Sequence, residues 1–64
     1  MKKYQKRLVD EKQALDEKIV NLTMFIYSPR ILGVDPDERG RMIHQLHMMK
    51  AYSEVLLDRF LNFN

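Results

Sequence analysis

The residues in this sequence best suited to chemistry are an aromatic side chain and the cations around it. Tyr4 lies within a basic cluster formed by Lys2, Lys3, Lys6 and Arg7. An aromatic ring can stack on a nucleobase while lysine and arginine contact phosphate oxygens. The alternative for such a cluster is a frayed, solvated first turn of a helix. The pattern leaves both interpretations open.

Two lysines on or beside the apolar stripe of the first predicted helix suggest a shared site. Lys12 lies in the stripe and Lys18 beside it, and a lysine at an interface reaches solvent, pairs with a carboxylate or meets an anion. Tyr4 and Lys18 share roughly one helix face but lie about 21 Å apart along the axis. If two copies of the helix cross antiparallel near Glu11, Tyr4 of one copy comes opposite Lys18 of the other. Such an interface would form two equal pockets.

Signatures of catalytic and metal centres are missing from the sequence. His44 and His47 share a helix face, but no third ligand stands at helical spacing beside them. Structural and catalytic zinc sites need three or four protein ligands. The chain has no cysteine and no glycine-rich phosphate loop, and neither Ser28 nor Ser53 lies in a nucleophile elbow. We therefore expect no enzyme, no bound metal and no other cofactor.

Length and composition set limits on the class of protein. Sixty-four residues allow one small domain, and a net charge of +2 is too low for a protein that coats a polyanion such as DNA. No apolar run approaches the roughly 20 residues that span a bilayer. The basic start is not followed by the apolar segment of a secretory signal. These features predict a cytoplasmic protein.

Two long helices must position the candidate residues. The apolar periodicity predicts one helix over about 2–27, a connection over 28–35 and a second helix over about 36–62, within a single domain of residues 1–64. Each helix carries a stripe spaced alternately by four and three residues, as in a coiled coil. The stripes are Leu8, Lys12, Leu15, Ile19, Leu22 and Ile26 in the first helix, and Met42, Leu46, Met49, Ser53, Leu56, Phe60 and Phe63 in the second.

Local signals mark the connection between the helices. Pro29 ends the first helix, because the residue before a proline is pushed out of the α region. We expect Gly33 to supply the conformational freedom of the turn. The second helix should begin with Asp35 as N-cap, Pro36 at the first helical position and Glu38 completing a capping box.

Charged pairs one turn apart should support the first helix. Lys6 and Asp10, Arg7 and Glu11, and Lys12 and Asp16 each stand four residues apart. Each such pair favours the helix by about 0.3 kcal/mol.

The second helix has more apolar surface than one partner helix can cover. Beyond its stripe it carries Met48, Tyr52 and Val55 on one side, and Ile43, Leu57 and Leu61 on another. A lone helical hairpin buries too little apolar area to offset its ordering entropy. The fold class is therefore predicted as all-α, a two-helix hairpin that completes its core by homo-oligomerisation.

Several segments, taken in order, resemble a known family. In the first helix these are the run from Tyr4 to Lys12 and the run from Leu15 to Ile19. In the second they are Gln45-Leu46, Met49, Ala51-Tyr52-Ser53 and Leu56-Leu57-Asp58-Arg59. Over nearly its whole length the sequence is similar to the phage anti-CBASS sponge proteins, also met as crAss-phage-related small proteins.

This resemblance implies a function. Members of that family are helical hexamers, built as two interlocked trimers, that bind cyclic dinucleotides between subunits without cleaving them. Some also bind cyclic trinucleotides at separate sites near the three-fold axes. Sequestration deprives the CBASS effector of its activator in the cytoplasm of the infected bacterial host. The resemblance thus predicts immune evasion by a phage protein.

The resemblance also implies site residues. The aromatic residue of the dinucleotide pocket would fall on Tyr4 and its lysine on Lys18, and we assign Arg7 of the basic cluster to the same site. The arginine used for cyclic trinucleotides would fall on Arg59. Val20 stands near the place where the family has a hydroxyl residue beside that arginine.

Two other functions compete with this prediction. A coiled-coil scaffold or regulatory adaptor could bind a protein partner through an adaptable methionine-rich face made of Met42, Met48 and Met49. A weak nucleic-acid binder could use the basic cluster, although the modest net charge argues against it.

Overall fold

The chain forms an antiparallel hairpin of two helices in a computed structural model that describes residues 1–63. Helix α1 spans Lys3–Ile26, a 3-10 turn spans Pro29–Gly33, and helix α2 spans Pro36–Leu61. The observed helix ends lie within one residue of the predicted ones. The hairpin measures 46 × 14 × 13 Å. The all-α two-helix architecture is confirmed, whereas the homo-oligomer stays a prediction.

The ends of the connection follow local rules, with two exceptions. The Asp35 carboxylate accepts the backbone N–H of Asp37 at 3.1 Å, and Pro36 takes the first helical position. The predicted capping box is wrong, because the Glu38 carboxylate accepts the Arg41 Nε–H at 2.7 Å instead. The prediction for Gly33 is also wrong. Its φ is not positive, so the 3-10 turn does not use the freedom of a glycine.

The core of the hairpin lies along the two predicted stripes. Leu8, Leu46 and Leu56 are only 3%, 6% and 0% exposed, and Ser53 is buried among them. The remaining stripe residues of α1 are half-buried. In α2 only Phe60 departs from the prediction, because it is exposed. Spacing by four and three therefore identified the contact between the helices.

The other apolar sets of α2 stay on the surface of the hairpin. All six of their members are exposed: Ile43, Met48, Tyr52, Val55, Leu57 and Leu61. On α1 the exposed apolar residues include Val20 and Met24. This agrees with the expectation that one partner helix covers only one face of α2. Patches of apolar surface on a small protein mark contacts with other molecules.

The methionines do not form one exposed face. Met48 is exposed, but Met42 and Met49 are half-buried in the contact between the helices. A surface that adapts through methionine side chains would have to present several of them together. The structure therefore weakens the argument for a scaffold or adaptor.

Candidate ligand-binding site

Tyr4 lies in an open groove where the first turn of α1 meets the end of α2. The groove has a volume of about 270 Å³ and is lined by Tyr4, Leu8, Arg59, Asn62 and Phe63. Tyr4 is 46% exposed, so its ring can be reached from solvent. The groove therefore combines an aromatic surface with a guanidinium group.

The aromatic side of the groove is a cluster of three rings. The centroids of Tyr4 and Phe63 lie 6.2 Å apart with the ring planes at 88°, an edge-to-face arrangement. Phe60 and Phe63 lie 5.2 Å apart at 64°. Both geometries are favourable for aromatic pairs. At least one face of the Tyr4 ring is not covered by Phe63, because an edge-to-face pair covers at most one face of one ring.

Arg59 lies near Tyr4 in the folded hairpin. The resemblance placed Arg59 at a separate site for cyclic trinucleotides and Tyr4 at the dinucleotide site. In the structure both side chains line the same groove. The last turn of α2 runs beside the first turn of α1 because the hairpin is antiparallel.

Arg7 lies on a surface next to the Tyr4 groove. It lines a second shallow groove together with Met1, Lys3 and Lys6. Lys6 is engaged, since its Nζ lies 3.2 Å from the Asp10 carboxylate. The predicted pair of Arg7 with Glu11 does not form. Glu11 instead accepts a hydrogen bond from the Tyr52 hydroxyl. That hydrogen bond raises the pKa of Tyr52, since the nearby carboxylate disfavours a phenolate.

Among the described residues, three of the predicted cations have no carboxylate partner. Within residues 1–63, the ion pairs are Lys6–Asp10, Lys12–Asp16 and Arg41–Glu38. Arg7, Lys18 and Arg59 take part in none of them. These three side chains are therefore available to an anionic ligand, each from a different place on the hairpin.

Lys18 is remote from the groove within one chain. It is exposed on α1, about 21 Å along the helix axis from Tyr4. It lines none of the surface that Tyr4 and Arg59 share. A single chain therefore brings Tyr4 and Arg59 together but leaves Lys18 outside.

The centre of the hairpin holds a polar network that involves Lys12. Its Nζ donates to the Asp16 carboxylate and to the Ser53 hydroxyl, each at 2.9 Å, and the Ser53 hydroxyl donates to Asp16 at 2.6 Å. The hydrogen bond from Ser53, followed by that from Lys12, lowers the pKa of Asp16 below its usual value. Of the three roles open to Lys12, the structure therefore selects pairing with a carboxylate.

The two histidines lie away from this network and from the Tyr4 groove. His44 and His47 are exposed on α2. Among the described residues no group of three or more side chains is placed to hold a metal ion. The helices over the same residues also contain no apolar stretch long enough to cross a membrane.

The family model of Sequestin matches residues 2–62. The chain belongs to the Sequestin family. This match bears out the resemblance noted from the sequence. Comparisons with curated proteins and with solved structures give no match.

The Sequestin name denotes sequestration, that is, binding and holding a ligand. The name indicates a binding role rather than a catalytic one and a small ligand as partner. The geometry of this Sequestin hairpin suits binding, because the open groove presents an exposed ring and a cation. Ser53 is buried and its hydroxyl is already engaged.

Three groove residues are not among the site residues that the sequence predicts: Leu8, Asn62 and Phe63. Leu8 and Phe63 belong to the apolar stripes, and no motif marks Asn62. The spacing of four and three residues does place Phe63 on the side of α2 that faces α1. Only the alignment of the two helix ends reveals that the residue it meets there is Tyr4.

Proposed function

We propose that this chain binds cyclic dinucleotide second messengers and holds them without cleaving them. In this proposal it is a phage protein that acts in the cytoplasm of the infected bacterium and blocks activation of the CBASS effector. Cyclic trinucleotides are a second ligand class. The Sequestin match supports sequestration, and the resemblance noted from the sequence supplies the nucleotide and the CBASS role.

The observation that carries the proposal is the shared groove of Tyr4 and Arg59. A cyclic dinucleotide has two bases and two phosphates, so it needs stacking surfaces and cations. The exposed Tyr4 ring can stack on a base, which is worth about 1–3 kcal/mol. Arg59 can form a bidentate contact with a phosphate. Arg7 stands three residues after Tyr4 on α1, lines the neighbouring groove and can meet the second phosphate.

One chain supplies only part of such a site. The groove volume of about 270 Å³ lies below the roughly 300–1,000 Å³ that is usual for ligand sites. In an antiparallel crossing of two α1 helices near Glu11, Lys18 of a second copy would stand opposite Tyr4. The second copy would then enlarge the groove and add a cation to it.

The exposed apolar residues of α2 support this assembly. A second copy that covers Met48, Tyr52 and Val55 would add the buried area that a two-helix chain lacks. We propose a homohexamer, with the dinucleotide sites in the contacts between subunits. A preformed site between packed helices loses little entropy when the ligand binds.

Calorimetry with a panel of cyclic di- and trinucleotides tests the function. We expect tight binding of at least one cyclic dinucleotide and much weaker binding of its linear form, with a mass of six chains by light scattering. After heat denaturation of the protein, the ligand should be recovered intact. The absence of binding to every member of the panel would refute the proposed function. The appearance of linear dinucleotide would show that the chain is a phosphodiesterase.

A matched pair of arginine variants tests the groove. Arg59→Gln should weaken cyclic dinucleotide binding, because it removes the guanidinium beside Tyr4. The control is Arg41→Gln, an exposed arginine of α2 outside the groove that pairs with Glu38. If Arg59→Gln affects only cyclic trinucleotides, the two ligand classes use separate sites and Arg59 does not belong to the Tyr4 site.

A further inference from the structure

We infer that Phe63 is a positioning residue that holds the ring of Tyr4 in the orientation that stacks on a base. The inference rests on the proposed function and deepens it, because it gives a residue of the groove a role that acts through Tyr4. Phe63 is half-buried and meets Tyr4 edge to face with centroids 6.2 Å apart. Its other neighbour is the ring of Phe60, 5.2 Å away.

Tyr4 gains from such support because the charges in its own helix turn are unfavourable, although the Gln5 side chain caps that turn by accepting the Lys2 backbone N–H at 2.9 Å. It lies in the first turn of α1, which has no acidic residue. Lys2, Lys3 and Lys6 surround it, and cations are unfavourable near the positive end of a helix dipole. First turns also fray readily. A contact with the end of α2 therefore restrains both the turn and the ring.

The backbone after α2 directs Phe63 towards Tyr4. The N–H of Asn62 donates to the Arg59 carbonyl at 3.2 Å, and the N–H of Phe63 donates to the Phe60 carbonyl at 3.3 Å. The Asn62 amide donates to the Asp58 carbonyl at 2.7 Å. These bonds continue the turn of the chain past Leu61. Phe63 therefore remains on the side of α2 that faces α1.

Restraint of the ring affects binding through preorganisation. A tyrosine that samples several rotamers must be ordered when a base stacks on it, and this ordering reduces the affinity. A ring already held by Phe63 avoids part of that loss. Phe63 also lines the groove, but if it acts by holding Tyr4, its effect on binding should disappear when the Tyr4 ring is removed.

A double-mutant cycle tests this dependence in the full chain. Phe63→Leu should raise the Kd for a cyclic dinucleotide by about 2- to 12-fold, the range that corresponds to one aromatic pair. In the background of Tyr4→Leu, the same substitution should leave the Kd unchanged. Phe63→Tyr retains a ring and should restore binding to near the parent level.

Phe25→Leu is the matched control. Phe25 is also a half-buried phenylalanine, but it lies at the opposite end of the hairpin, where Arg30 covers its ring. This variant should bind the ligand like the parent. Without ligand, the NMR shifts of the Tyr4 ring protons should move in Phe63→Leu and stay in place in Phe25→Leu.

The outcomes separate the inference from the proposed function. If the parent binds no cyclic dinucleotide, the proposed function fails, and the role of Phe63 fails with it. If the parent binds and Phe63→Leu binds equally well, only the inference is overturned. An equal loss in the Tyr4→Leu background would also overturn it, because Phe63 would then act on the ligand or on the fold rather than through Tyr4.

Discussion

The middle of the hairpin and its aromatic end, formed by Tyr4, Phe60 and Phe63, differ in whether their polar groups are paired. In the middle, Lys12, Asp16 and Ser53 satisfy one another across the two helices. At the aromatic end, Tyr4 is exposed and Arg59 has no carboxylate partner among the described residues. A satisfied network contributes to the fold, whereas an exposed ring beside an uncompensated cation can gain contacts from a ligand.

Two lysines in similar sequence positions differ in the same way, since one is paired within the hairpin and the other is exposed. Lys12 and Lys18 both lie on or beside the stripe of α1, six residues apart. Lys12 reaches Ser53 of α2 and the Asp16 carboxylate one turn away. Lys18 is exposed and has no ion pair within residues 1–63. Position on the stripe alone therefore does not distinguish a structural lysine from one available to a ligand.

The largest expected effect comes from placing a charge in the core beside the polar network. Leu56→Asp buries a carboxylate at a side chain that is 0% exposed. We expect it to lower the free energy of unfolding by about 3–5 kcal/mol and to disrupt assembly. Thermal denaturation followed by circular dichroism measures the loss, and light scattering measures the assembly.

Leu61→Asp is the control for that substitution, since Leu61 is 70% exposed near the end of the same helix. It should leave the helix content nearly unchanged. An unaltered melting temperature and mass in Leu56→Asp would show that Leu56 is not part of a core.

The next effect concerns binding at the aromatic end. Tyr4→Ala removes base stacking and Lys18→Ala removes a phosphate contact, so each should weaken cyclic dinucleotide binding by about 1–3 kcal/mol. The oligomer should remain intact in both variants, because the exposed apolar residues of α2 that would hold it together are unchanged. Calorimetry and light scattering give the two measurements.

Mixing the two variants tests whether Tyr4 and Lys18 meet between subunits. After dissociation and reassembly, mixed oligomers contain some pockets with an intact Tyr4 from one chain and an intact Lys18 from another. A fraction of tight binding should return. If mixing restores none of it, the proposed pocket between subunits is wrong.

A smaller effect is expected from the polar network itself. Ser53→Ala removes the hydroxyl that joins Lys12 and Asp16 across the helices. We expect the free energy of unfolding to fall by about 1 kcal/mol, as for one hydrogen bond, with no change in ligand affinity. Urea denaturation and calorimetry measure the two quantities. A marked loss of affinity would mean that the centre and the aromatic end are coupled, and the contrast between them would not hold.

The smallest effect is a dependence of stability on acid. The pKa of Asp16 is lowered in the folded chain, so its contribution to stability is fully present above the usual value of 3.8. The contribution is lost as the pH falls below 3.8 through the folded value. The melting temperature should therefore drop less between pH 5 and pH 2 in Asp16→Asn than in the parent.

Asp10→Asn is the control for the acid dependence. Asp10 pairs only with the exposed Lys6, and such a surface pair contributes little. This variant should follow the parent between pH 5 and pH 2. If the melting temperatures of Asp16→Asn and Asp10→Asn change alike with pH, the hydrogen bonds of the network do not make the Asp16 carboxylate a special contributor to stability.

The helices and the faces that they bury follow from short-range features of the sequence. Pro29, Asp35 and Pro36 act on backbone atoms within a few residues, so the ends of the helices could be predicted from local chemistry. The burial of Leu8, Leu46 and Leu56 could be predicted from the helical repeat of apolar residues in each helix. These inferences hold because their physical causes lie within one or two turns of the chain.

The partners of polar and aromatic side chains depend on how the two helices pack. Glu11 bonds to Tyr52, 41 residues away, rather than to Arg7 on its own helix. Tyr4 meets Phe63 and shares a groove with Arg59 because the antiparallel register aligns the start of α1 with the end of α2. That register follows from how the whole apolar stripe packs together with its central polar network. No local spacing encodes it, so contacts at the helix ends become visible only in the folded hairpin.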